Sequence, residues 1–115
     1  MRKAFSARMS DAKRLRSVDE CLRSAIAGKH LVQLRYSDSV RVVEPHDYGV
    51  KNGCAMLLAY QLQTSDPAKK PVPGWRLFDV AKIAECTLSE TPFKGSRGTS
   101  RQHHHCWDIL YARVK

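Results

Sequence analysis

The sequence lacks any apolar run approaching the ~18 residues needed to cross a membrane. Met1-Arg2-Lys3-Ala4-Phe5 is not followed by the apolar core of a secretory leader, so a cytoplasmic protein with no membrane partner is expected. Its four cysteines, Cys21, Cys54, Cys86 and Cys106, include no Cys-x-x-Cys pair, which argues against a zinc ribbon or a redox motif of that spacing. In a reducing compartment they read most simply as small buried apolar residues. Gly-x-Ser-x-Gly, His-Glu-x-x-His, a Walker loop and Rossmann glycines are all missing. His46 and Asp47 offer a base and its orienter by proximity alone, so no catalysis and no cofactor are expected. There are no internal repeats.

Acid is also scarce. Asp and Glu number 11 against 20 Lys and Arg, a net charge of +9, and residues 1–16 hold six basic side chains against only Asp11. Such a balance favours anionic partners, nucleic acid first among them. A basic tail that only solubilises is the blander possibility, and charge alone does not choose between the two. A chain of 115 residues is the size of one domain with a real core. The expected division is a basic arm over 1–16 and a single domain over 17–115.

Ser17-x-x-Glu20 has the form of a capping box and predicts a helix starting there, running through Ala27 and stopped by Gly28. Val18, Leu22, Ala25 and Ile26 form its apolar face. Alternation then predicts strands at His30–Tyr36 and Val40–Glu44, with Pro45 ending regular pairing for want of an amide hydrogen. Asn52-Gly53 is a strong signal for a tight hairpin, leading into a long strand from Ala55 to Gln63. Ser65 to Gly74, with three prolines, reads as a loop. Shorter strands follow at Trp75–Val80 and Glu85–Ser89, with a turn near Ala81–Ile83, and Tyr36 and Phe78 are assigned to the core. Lys94 to Arg101 is Gly/Ser-rich and basic. Trp107, Leu110, Tyr111 and Val114 fall at i, i+3, i+4 and i+7, which predicts a C-terminal helix over 102–114.

A strand ending in Glu44-Pro45, then Tyr48-Gly49-Val50, Asn52-Gly53 and a strand closing in Ala59-Tyr60-Gln61, resembles the WYL family of ligand-sensing domains. Arg76-Leu77-Phe78 and Lys82-Ile83 match the second half of that pattern, and the resemblance covers residues 17 to 93. It departs at the family's Trp-Tyr-Leu, which reads Ala55-Met56-Leu57, so the two aromatics on which a ligand could stack are missing there. The resemblance implies an α+β fold: a small, strongly bent antiparallel β-barrel of the Sm-like (SH3-like) kind, flanked here by the N- and C-terminal helices. It also implies a bacterial, cytoplasmic module in transcription regulation or defence, and weighs against reading the Arg-rich N-terminus as a transit peptide.

The candidate site gathers His46, Tyr48, Gln61, Arg76 and Lys82 at one rim of the barrel. Arg offers a planar donor fork for phosphate, Lys a point charge and His a donor or acceptor near neutral pH. In the family, a basic and polar groove of this kind implies single-stranded nucleic acid or a nucleotide-like effector. Trp75 adds a stacking surface, as do Tyr48 and Tyr60, while Arg97 and Arg101 add non-specific attraction. The structural counterpart of this reading has Arg76 paired with Asp79 or Glu85 and His46 capping a turn. His103-His104-His105-Cys106 suggests a metal by residue type, but neighbours on a helix point about 100° apart and do not converge on one ion. No metal is expected. The class-different alternative is a protein–protein interaction module, since exposed strand edges leave a homodimer open.

Overall fold

The computed structural model describes residues 2–37, 39–65, 73–98 and 106–115, with side chains from residue 11 onward. The calls on Arg101, on His103–His105 and on a helix start near Gln102 lie outside the described residues.

Among the described residues, one helix, α1 (Arg2–Gly28), packs on a sheet of six strands: β1 (His30–Tyr36), β2 (Ser39–Lys51), β3 (Cys54–Thr64), β4 (Gly74–Asp79), β5 (Ile83–Pro92) and β6 (Ile109–Arg113). The helix runs straight through Ser17, so the capping-box residues sit inside it rather than at its start. It ends at Gly28, and Lys29 takes a positive φ of 56°, a left-handed residue that turns the chain into β1. The expected apolar face is the one buried: Val18, Leu22, Ala25 and Ile26 all join the core with Val32, Leu34, Val43, Leu57, Phe78 and Ile83. Burying side chains the size of Leu22 and Ile26 contributes about 2–3 kcal/mol each.

The hairpin is where the sequence places it. Asn52 and Gly53 take φ values of 53° and 77°, the two positive angles a tight I′ turn requires, and Lys51 pairs with Cys54. β2 does not end at Pro45. It continues to Lys51, with an irregularity between Pro45 and Asp47 that leaves His46 as the extra residue opposite β3. Pro is tolerated at such a bulge. Along its other side, β2 pairs with β1 up to Val43 and with β6 from Asp47, so Pro45 lies where the neighbour changes.

Two expectations about the architecture are also overturned. The sheet is open, not a closed barrel. Its order is β4-β3-β2-β1-β5, with β6 beside β2, and among the described residues no ladder joins β4 to β5. A 3₁₀ turn, Val80–Lys82, connects those two edges. Asp79 caps it by accepting from the Ala81 amide at 3.1 Å, and Arg14 of α1 donates to the Ile83 and Ala81 carbonyls at 2.7 and 3.3 Å. Turn and helix thus take backbone groups at the point where closure would begin.

The second correction is the C-terminal helix, which is absent among the described residues: Ile109–Arg113 is a strand. β1 leaves the far half of β2 unpaired, and the tail fills it, with Gly49 opposite Leu110 and the Val114 amide donating to the His46 carbonyl at 2.8 Å. An open ladder supplies long-range bonds that a periodic but isolated tail helix does not.

Candidate functional site

Alternation along three neighbouring strands sets Glu44, Tyr60 and Trp75 in one cross-strand row, with Glu44 opposite Tyr60 and Tyr60 opposite Trp75. Leu57, Ala59 and Phe78 point the other way, into the core. Over this row lies a cavity of about 730 Å³, walled on its far side by Phe93, Lys94 and Arg97 from the segment after β5. That segment is tied down by the Phe93 amide donating to the Lys29 carbonyl at 2.9 Å and the Ser96 amide to the Lys115 carbonyl at 3.3 Å.

Arg97 dominates the cavity. Its Nε and Nη2 donate to the two oxygens of Glu44 at 2.8 and 3.1 Å, and its guanidinium carbon lies 3.6 Å from the centre of the Tyr60 ring. A fork held edge-on by a carboxylate and face-on by an aromatic ring is fixed in orientation. Trp75 stands edge-on to Tyr60, with ring centres 5.5 Å apart, and edge-on to His46 at 4.7 Å.

His46 is wholly buried beneath Trp75 and Phe93. Its Nδ1 lies 2.8 Å from the Glu44 carbonyl. A carbonyl only accepts, so Nδ1 carries the hydrogen and Nε2 is the bare nitrogen, without a partner among the described residues. Burial pulls the His46 pKa below the usual imidazole value, and the bond to the Glu44 carbonyl offsets this only in part. His46 is therefore a neutral packing residue under the cavity floor.

The remaining candidates are dispersed. Tyr48 is buried against α1, its hydroxyl donating to Asp19 Oδ1 at 2.7 Å. Burial, and then this bond, push its phenol well above the ordinary value. Gln61 is buried and accepts from Arg41 Nη1 at 3.2 Å. Arg76 alternates onto the face opposite Trp75, and its Nη1 donates to the Trp75 carbonyl at 2.9 Å. Lys82 is exposed in the 3₁₀ turn. Asp79 serves as the cap of that turn and Glu85 pairs with Arg35, so neither is the partner expected for Arg76.

The structure thus brings together His46, Trp75 and Arg97. Glu44, Phe93 and Lys94 complete the cavity without having been singled out as ligand residues. Glu44 stood in the motif, but nothing local ties it to Arg97, 53 positions away. Among the described residues, no group of three or more His, Cys, Asp or Glu is placed to hold a metal ion, and no helix is long and apolar enough to cross a membrane.

A basic helix on an open antiparallel sheet, with a cleft over the row of Glu44, Tyr60 and Trp75, defines the class of domain. No protein-family model and no curated protein matches the chain. Among solved structures it is similar to proteasome accessory factor B/C (PafBC) of Arthrobacter aurescens, with a TM-score of 0.53 and 18% identity over 78% of this chain. The match spans 15% of that protein's length, so the likeness is one of fold to a small part of it.

Proposed function

We propose that the chain is a non-catalytic regulatory module whose cavity binds a nucleotide or an end of single-stranded nucleic acid. The fold likeness to part of PafBC and the WYL-like motif support a regulatory role. The observation that carries the ligand class is Arg97 laid on Tyr60 and clamped by Glu44, in a cleft that also holds Trp75, Phe93 and Lys94. A nucleotide is a planar base joined to an anion. The aromatic and apolar walls suit the base, and the cations Arg97 and Lys94 suit the phosphate. At about 730 Å³ the cavity falls within the size range of small-molecule sites. The two bonds to Glu44 use only Nε and one Nη2 hydrogen of Arg97, so its remaining N–H groups are left to donate to the phosphate.

The test is calorimetric titration of mononucleotides and short single-stranded DNA and RNA into the full chain at ~150 mM salt, where contacts made only by a basic tail weaken. Saturable binding that Trp75→Ala and Arg97→Ala each weaken supports the reading. Binding that neither variant changes removes the cavity from it.

A protein-interaction module is the second reading. Ile109, Leu110 and Tyr111 are consecutive, apolar and 55%, 42% and 39% exposed on β6. A chain that binds no nucleotide and self-associates, with Ile109→Ser abolishing the association, would favour that reading.

A further inference from the structure

Cys21 and Cys86 lie 65 positions apart, one on α1 and one on β5, yet their sulfurs are 2.9 Å apart, Cys86 donating to Cys21. Both are half-buried and pack against the core, whereas Cys54 and Cys106 are exposed. An open groove of about 530 Å³ runs between helix and strand over this pair, lined by Glu20, Cys21 and Ser24 on one side and Cys86 and Thr87 on the other. The pair is therefore in contact and reachable from solvent. Its backbone is anchored on both sides: Val18 and Leu22 are buried around Cys21, and Cys86 is paired with Leu34 of β1.

We propose that Cys21 and Cys86 form a modification site, a dithiol that peroxides oxidise reversibly to an intramolecular disulfide joining α1 to β5. The sulfurs need to close by only about 0.9 Å to reach bonding distance. In the first step the Cys21 sulfur attacks a peroxide oxygen. The O–O bond breaks, water or an alcohol leaves with the thiol proton, and Cys21 becomes a sulfenic acid. The Cys86 sulfur then attacks that sulfur. The S–S bond forms, the S–O bond breaks, and hydroxide leaves with the Cys86 proton as water. Two thiols lose two electrons and the peroxide gains them. The order of attack follows from the contact itself: donation from Cys86 lowers the Cys21 thiol pKa against the effect of burial, while the same bond and then burial raise that of Cys86.

The disulfide would pin α1 to the strand at the sheet's edge and close a long loop of the unfolded chain, so oxidation should stabilise the fold. The experiment uses the full chain carrying Cys54→Ser and Cys106→Ser, which removes the two exposed thiols and leaves the pair intact. It is treated with hydrogen peroxide, alkylated, and mapped by peptide mass, with thermal melting before and after dithiothreitol. The expected result is joint loss of both thiols, a Cys21–Cys86 linked peptide, and a melting temperature higher by on the order of 10 °C, all reversed by the reductant. Adding Cys86→Ser should leave a sulfenic acid on Cys21 that dimedone traps. Persistence of both alkylated thiols after peroxide, linkage only between chains, or separate over-oxidation of the two sulfurs would each overturn the proposal.

Discussion

Arg113 holds Asp47 through two nitrogens, Nε and Nη2, each 3.0 Å from a carboxylate oxygen, and Asp47 is fully buried. The two face each other across the β2–β6 ladder, so the ion pair and the strand pairing support one another. Arg113→Ala leaves a carboxylate in the interior without its fork. Removing one partner of a fully buried pair costs about 3–5 kcal/mol. The Arg113 side chain is 37% exposed, so water takes part of its place, and a loss of about 2 kcal/mol is expected. Urea unfolding measures it. An unchanged midpoint would mean the pair adds nothing to the strand.

Gly49 is the second hold on the tail. A Cβ placed there would lie 2.2 Å from the Ile109 carbonyl oxygen and 3.1 Å from the Leu110 Cα, both backbone. Neither can swing aside, so Gly49→Ala should push β6 off β2 rather than be absorbed. The expected outcome is a loss on the order of 2 kcal/mol, with amide exchange accelerated in 109–113 while the β2–β3 hairpin stays protected. Uniform protection in the variant would show that the ladder tolerates the methyl group.

These two contacts also explain what the sequence could and could not reveal. The α1 apolar face, the Asn52-Gly53 turn and the assignment of Tyr36 and Phe78 to the core rest on residues close in sequence, or on periodicity within one element, and they hold. The C-terminal strand does not have that property. Its apolar residues fit helical spacing, and the edge of β2 that recruits it is some 60 positions away, so local pattern favoured the wrong element. The cavity is similar in kind. Trp75 and Arg97 were legible as an aromatic and a cation, but Glu44 joins them only because two strand pairings align a row that residues 93–97 then cover. Tyr48 and Gln61 were expected at an open rim, and burial turned both inward.

The buried His46 gives the fold a pH dependence with a definite sign. Its folded-state pKa is depressed by burial below an unfolded value of about 6.5. Between those two values the unfolded chain binds the extra proton, so unfolding becomes easier as pH falls. Stability from this residue is fully present above about 6.5 and is lost as pH drops toward the folded-state pKa. Denaturation midpoints from pH 8 down to about 5 should fall in the native chain. In His46→Phe, which keeps a ring against Trp75, that slope should flatten. An equal slope in both would assign the dependence to another group.

Tyr48 separates packing from ligand binding. Its hydroxyl bonds Asp19, and burial, which raises the Asp19 pKa, is outweighed by that bond and by Arg23, leaving the carboxyl below its ordinary value. Tyr48→Phe should cost about 1 kcal/mol in stability, the net value of one hydrogen bond. Because the side chain faces α1 rather than the cavity, the variant should bind nucleotide as the native chain does. A loss of affinity larger than the loss of stability would restore Tyr48 to the site.

Arg76 and Arg97 are the sharpest contrast. The sequence motif points to Arg76 as the phosphate fork, with Arg76→Ala costing at least ~1.5 kcal/mol of binding. The structure sets Arg76 on the opposite face from Trp75 and Arg97 within the cavity, on Tyr60. Arg97→Ala should weaken nucleotide binding by about 1.5–3 kcal/mol, the range for a hydrogen bond to a charged group, and Trp75→Ala by about 1–3 kcal/mol through lost stacking. Arg76→Ala should leave affinity within about 0.5 kcal/mol, as expected of a substitution away from the contact. Titrations of the three variants at one salt concentration decide the matter, with circular dichroism confirming that each is folded. If Arg76→Ala abolishes binding and Arg97→Ala does not, the ligand lies on the other face of the sheet, and the clamp between Glu44 and Arg97 is a structural ion pair.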